Sequence, residues 1–155
     1  MTERSDHAHS WQWQTAQELH NQLINDEAVL GLVVIGSLAR QELDLLSDLD
    51  LVILVRDQAY ERFFPTRAWF ASLGALLGYE GHAGQGIGTH RLLLEDGRRI
   101  DLIVMSEAAL EREGIQAFWR PALPFFTRSS LLEQRLQESV TAPAFVALSE
   151  HDFNL

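Results

Sequence analysis

The stretch VLGLVVIGSLARQELDLLSDLDLVILV, residues 29 to 55, decides the fold. Its first seven residues, Val29 to Ile35, are an apolar, β-branched run without polar alternation, the pattern of a strand covered on both faces. The run stops at Gly36-Ser37. A polar segment with scattered leucines, Leu38 to Ser47, then leads into Asp48-Leu49-Asp50 and a second unbroken apolar run, Leu51 to Val55. Two central strands therefore frame the stretch, one ending in a Gly-Ser turn and the other entered through a pair of acids. The period of two in an extended chain puts both carboxylates on one face, about 7 Å apart.

Working outward, apolar residues at Trp13, Ala16, Leu19, Leu23 and Ile24 have helical spacing, with Ser10 placed to cap the first turn. Downstream, Asp57 suits a helix cap, and Pro65 suits the first turn of a helix that carries Trp69, Phe70, Leu73, Leu76 and Leu77 and stops at Gly78. Residues 81 to 88, GHAGQGIG, predict a mobile, substrate-side loop. Thr89 to Glu95, the turn Asp96-Gly97 and Arg98 to Met105 predict a β-hairpin, whose second strand opens with Asp101. Ser106 predicts a cap for a helix ending near Gly114. Pro121, Pro124 and Pro143 interrupt the tail, and Ser130 with Glu133 resembles a capping box for a last helix over 131 to 140. This order predicts an α/β (α+β) domain with a mixed sheet of about four or five strands flanked by helices.

Composition narrows the chemistry. The chain has 155 residues and a formal net charge of −10, and all twelve basic residues are arginine. Without lysine there is no Walker A loop, no pyridoxal Schiff base and no kinase of the usual design. The usual essential lysine of a phospho-acceptor receiver domain is missing for the same reason. Without cysteine there is no thiol nucleophile and no thiolate zinc site. The acidic balance opposes affinity gained by wrapping nucleic acid backbone. No stretch has the length of a membrane span or the apolar core of a leader peptide, so a cytoplasmic protein is expected.

Pairs of acids two apart also occur at Glu42/Asp44, Glu111/Glu113 and Glu150/Asp152, yet only Asp48 and Asp50 lead directly into a buried strand. If the strand of Asp101 lies beside theirs, three carboxylates meet at one sheet end. Close like charges are unfavourable unless a cation joins them. Hard oxygen donors suit Mg²⁺ or Mn²⁺, and two such ions clamp the entering and leaving oxygens of a phosphoryl displacement. Gly36 and Ser37 offer a close backbone approach and a hydroxyl to phosphate oxygens, with Arg40 adding charge.

Taken together, Gly36-Ser37-Leu38-Ala39-Arg40, Ser47-Asp48-Leu49-Asp50-Leu51 and Ile100-Asp101-Leu102 resemble the nucleotidyltransferase fold, over about residues 10 to 117. The nearest likeness is to small-molecule (aminoglycoside and lincosamide) nucleotidyltransferases and to minimal nucleotidyltransferases of toxin-antitoxin type. The resemblance implies that Asp48, Asp50 and Asp101 hold two metal ions, Asp101 being a third ligand or the general base. It implies that Gly36, Ser37, Arg40 and Ser47 hold a nucleoside triphosphate. The implied reaction moves a nucleoside monophosphate, AMP from ATP, onto a hydroxyl of a small molecule such as an antibiotic, with release of pyrophosphate. The family commonly has Gly-Glu after the arginine, where this chain has Gln41-Glu42.

A catalytic domain over residues 1 to 117 would leave a short C-terminal extension, 118 to 155, packed on it or on a partner. That brevity, with Phe118, Trp119, Phe125 and Phe126 in the tail, predicts a homodimer or a helical partner protein. Two alternatives follow: an antitoxin-like enzyme that modifies such a partner, and a noncatalytic nucleotide-binding module. Glu80 is a second candidate base toward an acceptor hydroxyl.

Overall fold

The computed structural model describes residues 10–40, 47–114, 119 and 121–141. Among them, six strands form one mixed sheet in the order β3-β4-β5-β2-β1-β6. The strands are β1 (Val29–Ile35), β2 (Leu49–Val55), β3 (Leu76–Gly84), β4 (Ile87–Leu94), β5 (Arg99–Ser106) and β6 (Leu123–Thr127). The helices are α1 (Trp11–Leu23), α2 (Gly36–Arg40), α3 (Tyr60–Phe63), α4 (Glu107–Glu113) and α5 (Ser130–Thr141). β2 and β5 run parallel, and the other four pairings are antiparallel.

The apolar runs behave as expected of covered strands. All seven residues of β1 are buried, as are six of the seven in β2, Asp50 being the half-buried one. One sheet face carries Leu32, Val34, Leu51, Ile53 and Leu102 against Ala16, Leu19 and Leu23 of α1 and against Phe63, Phe70 and Leu73. The other carries Val33, Ile35, Val52, Leu54 and Met105 against Leu110 of α4, Trp119 and Leu132 of α5. Ser10 and Ser106 cap α1 and α4 through hydrogen bonds from the amides of Trp13 and Ala109.

Several sequence expectations are corrected. Six strands replace four or five, because the glycine-rich segment 81–88 is extended chain: β3 and β4 pair through it around a turn at Gln85-Gly86. The helix expected to stop at Gly78 is a 3₁₀ segment, Ala68–Leu73, that ends at Gly74 with φ of 140°. Leu76 and Leu77 lie in β3, where Leu77 is 68% exposed, so its place in an apolar helical stripe was coincidental. Asp57 caps no helix of its own and accepts instead from the amide of Ala108. The last helix is capped by Ser129, whose hydroxyl accepts from the Leu132 amide, rather than by Ser130. β6 lies in the proline-interrupted tail and extends the same sheet by pairing with β1.

Trp119 is fully buried, and Phe125 packs on Trp13 and His20 while Phe126 packs on His20. Of the tail aromatics behind the partner expectation, Trp119 is thus enclosed by its own chain and Phe125 and Phe126 are half-buried on it, while Phe118 lies outside the described residues. Gln41 and Glu42 also lie outside them.

One buried polar contact ties the 3₁₀ region to the sheet. His90 on β4 is fully buried, with Nε2 2.7 Å from the Phe63 carbonyl and Nδ1 2.8 Å from the Tyr79 hydroxyl. A carbonyl only accepts, so Nε2 carries the proton and Nδ1 accepts from Tyr79. Burial holds the His90 pKa below its ordinary 6.5, outweighing the favourable Phe63 bond, with Arg67 acting in the same direction as burial. A histidine kept neutral contributes stability that is intact above the unfolded value of 6.5 and is lost as pH falls below it toward the folded value. His90→Gln is therefore expected to cost about 2 kcal/mol at neutral pH through lost bonding and packing. Its deficit against the wild type should shrink as urea melts are taken toward about pH 5.

Candidate active site

The register of β2 with β5 builds the site. Asp50 pairs with Asp101 across the parallel strands, and on the other side of β2 it pairs with Ile35, the last residue before Gly36. Both carboxylates thus stand side by side next to the turn that leads into α2. Asp48, two residues before Asp50 on β2's approach, is exposed, whereas Asp50 and Asp101 are half-buried.

The electrostatics follow from this crowding. Burial, then the charges of Asp101 and Asp48, push the Asp50 pKa up to about 6, and Arg40 opposes them. Asp101 is also raised, chiefly by burial and further by Asp48, while Arg91 pulls it back. The two acids stand close enough to share a proton, protonated Asp50 donating to the Asp101 carboxylate. Such a pair holds one proton more readily than either acid would alone.

Gly36 has φ of +75°, and a Cβ placed there would sit 2.5 Å from Asp50 Oδ2. The glycine is needed for the turn and equally for the space that the carboxylate fills. Ser37 and Arg40 lie on α2, where Arg40 Nη2 donates to Ser37 Oγ at 3.4 Å. As the acceptor of that bond, Ser37 retains its own hydroxyl proton as a donor. Ser47, just before Asp48, is placed by its carbonyl, which accepts from Gln12 Nε2 of α1 at 2.9 Å.

A cleft of about 470 Å³ opens beside the acids, lined by Asp48 and Asp101 together with Glu80, Arg91, Arg99 and Leu93 among others. The face of β3, β4 and β5 forms its floor. Arg91 is the site residue that sequence reasoning missed; its Nε lies 3.5 Å from Asp101 Oδ1.

Asp50, Asp101 and Gly36 are therefore brought together, Ser37 and Arg40 flank them, and Asp48 acts on both acids through its charge. Among the described residues, no three acidic or histidine side chains are gathered closely enough to enclose a cation by themselves. The donor chemistry nonetheless fits a divalent ion. The oxygens are hard carboxylates, and their mutual repulsion, which adds to burial in raising the Asp50 pKa, is what a cation would relieve. Phosphate oxygens of a substrate commonly supply the remaining ligands of such ions.

Fold and site define an α/β protein with an acid pair beside a Gly-Ser turn. No family model and no curated protein matches the chain. Among solved structures, it is similar to an aminoglycoside 6-adenyltransferase from Bacillus subtilis, at 19% identity over 63% of this chain and 36% of that one, with a TM-score of 0.46. It is also similar to Cid1 in complex with the UTP analogue UMPNPP, at 17% identity over 64% of this chain and 31% of that one, TM-score 0.41. A third is the Cid1 poly(U) polymerase with MgGTP bound, at 18% identity over 63% and 31%, TM-score 0.41. The chain thus spans only about a third of the length of these solved chains, 31–36%. Among the described residues, no helix is long and apolar enough to cross a membrane.

Proposed function

We propose that this protein is a divalent-metal-dependent nucleotidyltransferase that transfers a nucleoside monophosphate, AMP from ATP, to a hydroxyl of a small molecule. The observation that carries the reading is the in-register pair Asp50 and Asp101, with Asp50 against Gly36 and Asp101 lining an open cleft. Asp48, Asp50 and Asp101 would hold the ions, whose chemistry is to neutralise the carboxylates and polarise phosphoryl oxygens. Ser37 donates its hydroxyl proton to a triphosphate oxygen, and Arg40 contributes positive charge beside it.

The acceptor's hydroxyl oxygen attacks the α-phosphorus; one P–O bond forms, the bond to the departing pyrophosphate breaks, and the hydroxyl proton passes to Asp101. Asp101 suits that role better than Glu80. Glu80 lies two strands from Asp101, about 9.5 Å at ordinary strand spacing, which is the distance of an acceptor's body rather than of its attacking atom.

The test is pyrophosphate release from α-labelled ATP with Mg²⁺ and a panel of hydroxylated small molecules, antibiotics included. Label transferred to an acceptor supports the reading. Ser37→Ala should lower kcat/KM about tenfold, the effect of one lost donor. Absence of both pyrophosphate release and Mg-ATP binding would sink it. Binding without turnover would favour a nucleotide-binding module, and label on a co-purifying helical protein would favour the antitoxin-like alternative.

A further inference from the structure

One rung of the sheet, followed across four strands, carries Glu80, Arg91, Asp101 and Asp50 in succession. Residues opposite one another on neighbouring strands share a face. The rung therefore sets alternating charge, negative, positive, negative, beside the acid pair. Arg91 touches both of its neighbours: Nη1 is 4.0 Å from Glu80 Oε1, and Nε is 3.5 Å from Asp101 Oδ1. Two residues along the same strand, His82 Nε2 lies 3.1 Å from Glu80 Oε2. All three rung residues from Glu80 to Asp101 line the cleft.

The two ends of this arrangement differ in exposure. Arg91 and Glu80 are each 58% exposed, whereas Asp101 is 20% exposed. An ion pair with an exposed arginine is weak and readily exchanged, because water screens the charges and the long side chain gains freedom on release. A divalent ion at Asp101 brings twice the charge and has no such freedom to lose. With a carboxylate on each side of it, the guanidinium has somewhere to go when it leaves Asp101.

We propose that Arg91 is an exchangeable counter-ion for Asp101: it holds that carboxylate in place before a divalent ion arrives and transfers to Glu80 when the ion binds. Arg91 is in this sense a positioning residue, and Glu80 is its second berth. The proposal rests on the reading of Asp50 and Asp101 as metal ligands.

Mn²⁺ binding to the full chain, followed by electron paramagnetic resonance without nucleotide, tests it. Arg91→Gln removes the competitor and should tighten Mn²⁺ binding about fivefold. Glu80→Gln removes the second berth and should weaken binding about twofold, and that effect should vanish in the Glu80→Gln/Arg91→Gln double variant. Arg99→Gln deletes an equal charge from the same cleft and should change affinity by less than about twofold. Unchanged or weaker binding in Arg91→Gln, or equal tightening in Arg99→Gln, would overturn the exchange while leaving the metal reading standing. A wild-type chain that binds no Mn²⁺ would overturn both.

Discussion

Asp50→Asn is expected to make the metal-free protein more stable and to abolish the proposed nucleotidyl transfer. In the folded chain Asp50 titrates at about 6 rather than at its ordinary 3.8. A group raised in this way favours folding while protonated: its contribution is complete below pH 3.8 and is lost as pH rises through about 6. Above that, holding the carboxylate ionised beside Asp101 and Asp48 costs up to about 3 kcal/mol. Asparagine carries no charge there, and its amide can still donate to Asp101 as the protonated acid does. Thermal melts near pH 8 without divalent ions should therefore place the variant several degrees above the wild type, at about 2–4 °C per kcal/mol for a chain of this size. Mg²⁺ should raise the wild-type midpoint and leave that of the variant nearly unchanged, because a ligand stabilises only the fold that binds it. Pyrophosphate release should fall by about a thousandfold or more. A variant no more stable than the wild type at pH 8, yet still responsive to Mg²⁺, would mean that the acid pair is not the electrostatic liability described.

Much of this arrangement was legible because covered strands are written plainly. Val29 to Ile35 and Leu51 to Val55 have no polar interruption, and such runs in a short chain have few alternatives to a central sheet. The acids at their ends stand out against that background, so Asp50, Asp101 and Gly36 could be singled out without coordinates. What the pattern could not supply was strand order. Asp50 and Asp101 are 51 positions apart, and only the parallel pairing of β2 with β5 sets them side by side.

Arg91 was hidden by one residue of register. With a two-residue turn at Asp96-Gly97, Asp101 would face Leu92, and Arg91 would belong to the opposite side of the sheet. The hairpin instead closes with three residues, Glu95 to Gly97, between Leu94 and Arg98, with Gly97 at φ of +96°. That single extra residue brings Arg91 opposite Asp101. The segment 81–88 failed for a different reason. Glycine weakens strand propensity, yet pairing along β4 supplies hydrogen bonds that propensity does not count, and tertiary pairing prevailed. Leu76 and Leu77 show the converse: apolar residues at helical spacing near a glycine satisfied a helix pattern that the turn at Gly74 rules out.

Gly36→Ala carries the second large effect, and it separates two roles that a Gly-Ser turn can play. An alanine here must adopt φ near +75° and push its methyl against Asp50 Oδ2, only 2.5 Å from the ideal Cβ position. The left-handed conformation alone costs about 1–2 kcal/mol. The collision adds to this, since Asp50 is flanked by Asp101 of β5 on one side and by Ile35 of β1 on the other. Total destabilisation of about 3 kcal/mol and a loss of a hundredfold or more in turnover are expected. The partition can be measured with a double-mutant cycle against Asp50→Ala. Shortening the side chain removes the collision, so Gly36→Ala should then cost only the backbone contribution, and the coupling between the two positions should exceed about 1 kcal/mol. Additive costs would instead mean that the glycine serves the turn alone. In that case its closeness to Asp50 would be incidental, and the case for a turn and an acid shaped together as one phosphate-handling unit would lose its strongest geometric support.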